Sequence, residues 1–314
     1  VPNRRRTIAR TVTVAAPAAT VHGVLRDVES WPQYHAPAVH AAYEERGREQ
    51  DTVRIWSLHG RDAVRSRRMR RTFDPSGLRI TFEHLDPRPP VTAVSGGWRL
   101  TARGEDSTEV EMWHDIEVAG DEAAVERTAA AIAEGTRAHL ETLTATAENW
   151  KELEQRVVDF EDPLFIAGSA QDAYQVLYEA DKWPERMAHV DAIDMTEDEP
   201  NVQFFDMETR TADGSSHTTR SVRLCFPHHL IVYKQIELPA LLDGHRGSWT
   251  FTTTPEGVVA AARHIATIKP SALHVLGEGT TVPKARRYLR RVLSANSVSN
   301  LYVAKKYAEE RADD

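Results

Sequence analysis

The sequence is poor in cysteine, in long apolar runs and in the short signatures of nucleotide or metal chemistry. Its single cysteine, Cys225, excludes an internal disulfide framework and a cysteine-rich metal site. No apolar stretch approaches the ~18 residues that a membrane span needs. The basic opening, Val1-Pro2-Asn3-Arg4-Arg5-Arg6, is not followed by the apolar segment of a secretory signal, so the chain reads as cytoplasmic. A net charge of −8 argues against bulk nucleic-acid binding. The nearest approach to a dinucleotide fingerprint, Gly277-Glu278-Gly279, has Val282 where the third glycine belongs. There is no P-loop, no HExxH and no G-x-S-x-G elbow. Metal and nucleotide cofactors therefore have no sequence support.

What is present is a repeat. Trp31 and Trp183, Arg68 and Arg220, Arg71 and Arg223, and Pro75 and Pro227 are each 152 residues apart, and Trp98 and Trp249 are 151 apart. Both tryptophans of the first pair precede proline. A period of ~150 residues is too long for a solenoid and is a normal domain size. The 314 residues, 41% of them hydrophobic, suffice for two cores. The chain reads as two copies of one domain, 1–150 and 151–314. The junction at 150–155 has no Pro/Gly/Ser linker, which suggests close docking of the copies.

Each copy has the same order. In the first, alternation predicts a strand over 7–14 and a helix with Val21, Val24, Leu25 and Val28 on one face. Trp31-Pro32 should stop that helix, because a residue before proline avoids the helical region, and a short, irregular helical piece is expected to follow through Tyr34 and His35. Strands follow near 38–46, 51–59, 62–73, 78–85, 92–102 and 108–118, separated by turn chemistry. An alanine-rich helix covers 121–149. In the second copy the strands fall near 156–166, 190–197, 202–211, 216–226, 229–237, 245–254 and 258–268, with a final helix over 281–310. The fold class is α+β: two seven-stranded antiparallel sheets, each curled around a long C-terminal helix. The space between sheet and helix is the natural pocket for a small molecule.

This order, with Trp-Pro after the first helix, resembles the helix-grip fold of START-like proteins. The tandem arrangement, Arg71 before the Asp74-Pro75 turn, and Trp98 together resemble the didomain polyketide aromatase/cyclases of bacterial type II synthases. The resemblance implies a cofactor-free enzyme of antibiotic biosynthesis. It would take a poly-β-ketone, already reduced at one ketone, from an acyl carrier protein and promote first-ring aldol closure and dehydration. Other synthase components would be its partners, and neither nucleic acid nor membrane would be. Single-domain relatives carry an inward Ser-x-Arg before the Asp-Pro turn. The second copy matches with Ser221-Val222-Arg223 but has Phe226 for the aspartate; the first has Met69-Arg70-Arg71 and lacks the serine.

Strand alternation puts Arg65, Arg67, Met69 and Arg71 on one face. Arg71 and Arg223 have two readings: a guanidinium that holds developing negative charge on a substrate oxygen, or a structural salt bridge. Three inward arginines are too many to bury unpaired, so Arg65 and Arg67 are expected near the pocket mouth. Trp31, Trp98, Trp183 and Trp249 offer flat surfaces for a conjugated chain, or fill the core. Trp56, one strand earlier, is expected to join the first pocket. His114 shares an inward face with Val110, Met112 and Ile116 and is a candidate proton relay. His264 is its partner in the second copy if a hairpin slips by one or two residues. Tyr34, His35 and Ser221 complete the candidate set. The rival reading is a START-like binding module for lipids or other hydrophobic ligands that performs no chemistry.

Overall fold

The computed structural model describes residues 3–210 and 216–312. It divides into two compact units, Val1–Glu152 and Leu153–Asp314. In the first, β1 (Asn3–Val14) leads to α1 (Ala18–Arg26) and α2 (Trp31–Tyr34), then to β2 (Ala38–Arg46), β3 (Gln50–Leu58), β4 (Val64–Phe73), β5 (Arg79–His84), β6 (Val91–Gly104) and β7 (Ser107–Ala119), and to α3 (Glu122–Glu148). The strands form one antiparallel sheet in the order β1-β7-β6-β5-β4-β3-β2. Hairpin neighbours pair in sequence, and β1 closes against β7.

The stretch 150–155, taken from sequence as a junction, is helical: α4 spans Trp150–Arg156. The second unit then repeats the order with β8 (Val157–Ile166), α5 (Ala170–Tyr178), α6 (Trp183–Arg186), β9 (Val190–Glu199), β10 (Val202–Arg210), β11 (Ser216–Phe226), β12 (Leu230–Glu237), β13 (Leu242–Thr254), β14 (Gly257–Ile268) and α7 (Val282–Ala312). Its sheet runs β8-β14-β13-β12-β11-β10-β9. Residue 211 of the expected 202–211 strand lies outside the described residues.

The long helix of each unit lies over the inner face of its sheet. α3 has 27 residues and so spans about 40 Å. Asp121 caps it, accepting from the Ala124 N–H at 2.8 Å. Its far end is tied down where the chain turns from β1 into α1, since the Ala15 N–H donates to Glu148 at 2.8 Å. The second unit repeats the tie from the Ala167 N–H to Glu309, also 2.8 Å. Val125, Leu140, Leu143 and Ala147 of α3 pack with Val110, Met112, Ile116 and Val118 of β7 in one core.

Trp31-Pro32 starts a helical segment rather than ending one. α1 closes at Arg26, Val28–Ser30 make a 3-10 turn, and Pro32 falls in the first turn of α2, where a missing N–H costs nothing. Trp31 adopts helical dihedrals, φ −55° and ψ −40°, against the usual bias before proline. Its buried indole Nε1 donates to the Val24 carbonyl at 3.0 Å, which fixes the turn. Trp183 makes the same bond to Val176 at 3.2 Å.

Candidate functional site

The inner face of β4 carries Arg67, Met69 and Arg71 opposite Ile55, Val53 and Asp51 of β3. Arg71 is fully buried. Its Nε and Nη2 donate to the two carboxylate oxygens of Asp51 at 2.9 and 2.6 Å. Nη1 donates to the Leu25 carbonyl and Nη2 to the Arg26 carbonyl, both at 2.9 Å. These carbonyls end α1, so Arg71 both caps the helix and bolts it to the sheet. Four of its five N–H groups are committed.

Arg223 repeats the arrangement. It donates to the Leu177 and Tyr178 carbonyls, both at 2.8 Å, and to Gln203 Oε1. Gln203 stands where Asp51 stands, and it passes the contact on by donating to Glu197 at 2.8 Å. The guanidinium also lies over Trp183, 5.2 Å from the ring centre. Of the two readings of Arg71 and Arg223, these bonds favour the structural one. A guanidinium with four of its five N–H groups bonded within the protein holds the end of a helix.

Arg67 is the different arginine. Among the described residues no carboxylate pairs with it. Its surroundings desolvate the cation and lower its pKa. Its charge is felt by three histidines from three elements: His84 of β5, His114 of β7 and His139 of α3. Burial first, then Arg67, hold His84 and His114 at about 4. Burial, then His35 and Arg67, push His139 to about 3. All three are neutral imidazoles at physiological pH. Arg65, expected beside Arg67 at the mouth, is exposed.

Aromatic rings surround this group. Phe82 is 5.1 Å from Trp98, 5.3 Å from His114 and 5.8 Å from His84 between ring centres. Trp31 and Trp98 meet edge to face at 6.2 Å, and His139 sits 5.3 and 5.6 Å from them. Trp98 Nε1 and His139 Nε2 are buried without a protein partner. Gly96 lets Phe82 lie so close to the strand, since a Cβ there would be 2.9 Å from its ring. A small cleft lies beside the cluster, between Val24, Trp31, Tyr34, His35, His139 and Leu143. Trp31 and His139 belong to both cleft and cluster.

The hydrogen bonds of Thr136 favour one tautomer of His114. Thr136 Oγ1 gives its one proton to the Ile132 carbonyl at 2.8 Å, so toward His114 Nδ1, 3.2 Å away, it can only accept. Nδ1 therefore carries the proton, and the neutral ring keeps a lone pair on Nε2.

Trp56 is a correction. It lies opposite Ser66 of β4 and alternates with Ile55, so it is on the outer face. There it packs 5.1 Å from His40 and under Arg54. The expected slip at His264 is present: Gly96 pairs with His114, and Gly247 with His264. Ser221 is buried on the inner face of β11, two residues from Arg223. Trp249 is core, and Met69 is buried beside Arg67.

Residues 5–148 match the family described as polyketide cyclase/dehydrase and lipid transport. Over 311 residues, 96% of each chain, the sequence is 40% identical to the actinorhodin polyketide synthase bifunctional cyclase/dehydratase of Streptomyces coelicolor. The chain belongs to the polyketide cyclase/dehydrase family. A granaticin polyketide synthase bifunctional cyclase/dehydratase of Streptomyces violaceoruber is 38% identical over 303 residues, 95% of this chain and 93% of that one. The crystal structure of the di-domain ARO/CYC StfQ, from the steffimycin biosynthetic pathway, matches with a TM-score of 0.87 and 50% identity. It covers 98% of this chain and 100% of that one. Kinship throughout to cyclases and dehydratases makes this a polyketide aromatase/cyclase, and sets aside the non-catalytic binding module.

The two units of the aromatase/cyclase are not equivalent inside. The repeat puts Thr219 where Arg67 stands, Met187 where His35 stands, Asn300 where His139 stands and Gln235 where His84 stands. The cation among neutral imidazoles belongs to the first unit. His84 and His139 were missed from sequence. His84 shares its strand face with Phe82, and His139 lies on the helix face of Thr136 and Leu143; both signals were legible. No helix among the described residues is long and apolar enough to cross a membrane.

Proposed function

We propose that the first unit binds a poly-β-ketone presented by an acyl carrier protein of a type II polyketide synthase. The chain, already reduced at one ketone, closes its first ring there by aldol addition. The observation that carries this reading is Arg67, a part-buried cation with no carboxylate partner among the described residues, whose charge is felt by three neutral imidazoles packed among aromatic rings. A methylene flanked by two ketones gives up a proton to His114 Nε2. Arg67 holds the resulting enolate oxygen, where a fixed charge in a water-poor site acts most strongly. The enolate carbon attacks a carbonyl further along the chain, and the new alkoxide takes a proton. Trp31 and Trp98 supply the surfaces against which the chain folds, so that one pair of carbons meets. Tyr34 and His35 line the cleft through which the tethered chain enters.

The test is product analysis with a reconstituted minimal synthase, a ketoreductase and the full chain. The intact protein redirects product from spontaneously cyclised shunts to one first-ring aromatic. Arg67→Gln lowers that yield by about 100-fold while the protein keeps its fold. A product profile unchanged by Arg67→Gln would refute the assignment. A profile unchanged by the intact protein would refute cyclisation of this substrate altogether.

A further inference from the structure

The second unit has its own buried polar group, in which Tyr233, Gln235 and His245 stand where the first unit has Phe82, His84 and Val94, while His264 matches His114. Tyr233 and Gln235 of β12, His245 of β13 and His264 of β14 meet on the inner face of the sheet. His245 Nδ1 lies 2.8 Å from Gln235 Oε1. A carbonyl oxygen only accepts, so His245 Nδ1 carries the proton. His245 is neutral, because burial holds it down at about 3, and its Nε2 must then accept. The atom facing it at 3.1 Å is His264 Nδ1, which donates. Tyr233 Oη is 2.8 Å from that same Nδ1, and burial keeps its hydroxyl protonated. The ring of His264 is neutral too, held at about 4 by burial. With its one proton on Nδ1, the tautomer that gives His245 Nε2 a donor, Nε2 is a bare lone pair. That atom is buried and has no partner.

The neighbours set His264 apart. In the first unit the inner face of β7 carries Val110, Met112 and Ile116 around His114. In the second, β14 carries Ala260, Ala262 and Ala266 in those places. His264 is thus the one large side chain between Val258 and Ile268 on that face. Gly247 opposite it makes room for the Tyr233 hydroxyl, which a Cβ would overlap.

We propose that this histidine pair is a second acid–base site, which dehydrates the cyclised β-hydroxy ketone. The proposal rests on the cyclase reading above and assigns the later step to the second unit. Ring closure builds an oxyanion and needs a cation. Water loss is driven by the aromaticity gained and needs only a proton moved. His264 Nε2 takes the proton from the carbon beside the ketone. The Cα–H electron pair becomes the new double bond, and the C–O bond to the hydroxyl breaks. The leaving oxygen takes the same proton from Nε2 and departs as water, which regenerates the neutral ring. His245, accepting at its Nε2, and Tyr233 fix the orientation of His264 and steady the transient imidazolium. They are positioning residues.

The experiment uses the full chain in the reconstituted system and follows, over time, the cyclised hydrate and the dehydrated aromatic, which differ by one water. His264→Gln slows conversion of hydrate to aromatic by about 100-fold, while the carbons joined stay those of the wild type. Arg67→Gln does the opposite, losing the defined ring before any hydrate forms. Tyr233→Phe keeps the packing and slows dehydration by a smaller factor, which guards against a His264 variant that fails to fold. If His264→Gln and Tyr233→Phe both leave the hydrate-to-aromatic ratio at the wild-type value, the site is a structural plug and the proposal falls. If wild type gives no defined ring, the cyclase reading fails instead, which is a separate result.

Discussion

Removing Asp51 tests whether Arg71 is a strut. Asp51→Ala takes away the acceptors of Arg71 Nε and Nη2, in a pair whose side chains are 0% and 3% exposed. The guanidinium cannot reach water without pulling off the Leu25 and Arg26 carbonyls. Breaking one side of such a buried pair costs about 3–5 kcal/mol. For a unit of this size each kcal/mol lowers Tm by about 2–4 °C, so a drop of about 6–20 °C is expected. Replacing both partners, Asp51→Ala with Arg71→Met, removes the stranded charge along with the bond. It recovers part of the loss, because an apolar pair is often no worse than a buried ion pair. Calorimetry on the full chain measures both. Hydrogen exchange read by mass spectrometry localises the loss, with faster exchange at the end of α1 and over β3 and β4. The reasoning is refuted if Asp51→Ala leaves Tm and exchange unchanged while abolishing cyclisation. That pattern belongs to a catalytic guanidinium held by a carboxylate.

Two further outcomes follow from the same geometry. His84, His114, His139, His245 and His264 are all held neutral by burial, at values of about 3 to 4 against 6.5. The unfolded chain thus takes up more protons between pH 6.5 and 4; stability is full above 6.5 and is lost as pH falls through that window. A Tm that stays flat from pH 7 to 5 would contradict it. Gln203→Glu copies the carboxylate of the first unit beside Arg223 but sets it against Glu197, which now accepts from Gln203 at 2.8 Å. It is expected to lower Tm despite the new ion pair; a rise would show that Arg223 is under-compensated.

The repeat, the element order and the antiparallel pairing were legible because each rests on local signals: alternation, turn residues and a fixed offset. The register at His114 and His264 was legible once a slip was allowed. Trp56 was misplaced because parity was not carried across the hairpin from β4 to β3; Ile55 opposite Arg67 puts Trp56 outside. For Arg71 the sequence leaves two readings open, for a different reason. Its partners are carbonyls at the end of a helix 45 and 46 residues away, and backbone acceptors leave no mark in a sequence. Trp-Pro was read by the usual bias before proline, which a buried indole bonded to Val24 overrides.

The pairs that match across the repeat and those that do not sort by physical role. Arg71 and Arg223, Trp31 and Trp183, and Glu148 and Glu309 keep their bonds to equivalent backbone atoms, because each closes a gap that any helix-grip unit of this type has. Asp51 and Gln203 show how far that requirement bends. The guanidinium needs oxygen acceptors, and the compensating charge can stand one side chain further off, at Glu197. The positions that differ are Arg67 and Thr219, His35 and Met187, and His139 and Asn300. Nothing in the fold demands arginine or histidine there, and enclosing a cation without a carboxylate is costly. The scaffold requires the first set in both units and does not require the second in either. Apart from His114 and His264, which match in register but not in neighbours, a match across the two copies therefore marks structure in this protein, and the reactive residues are to be sought where the copies disagree.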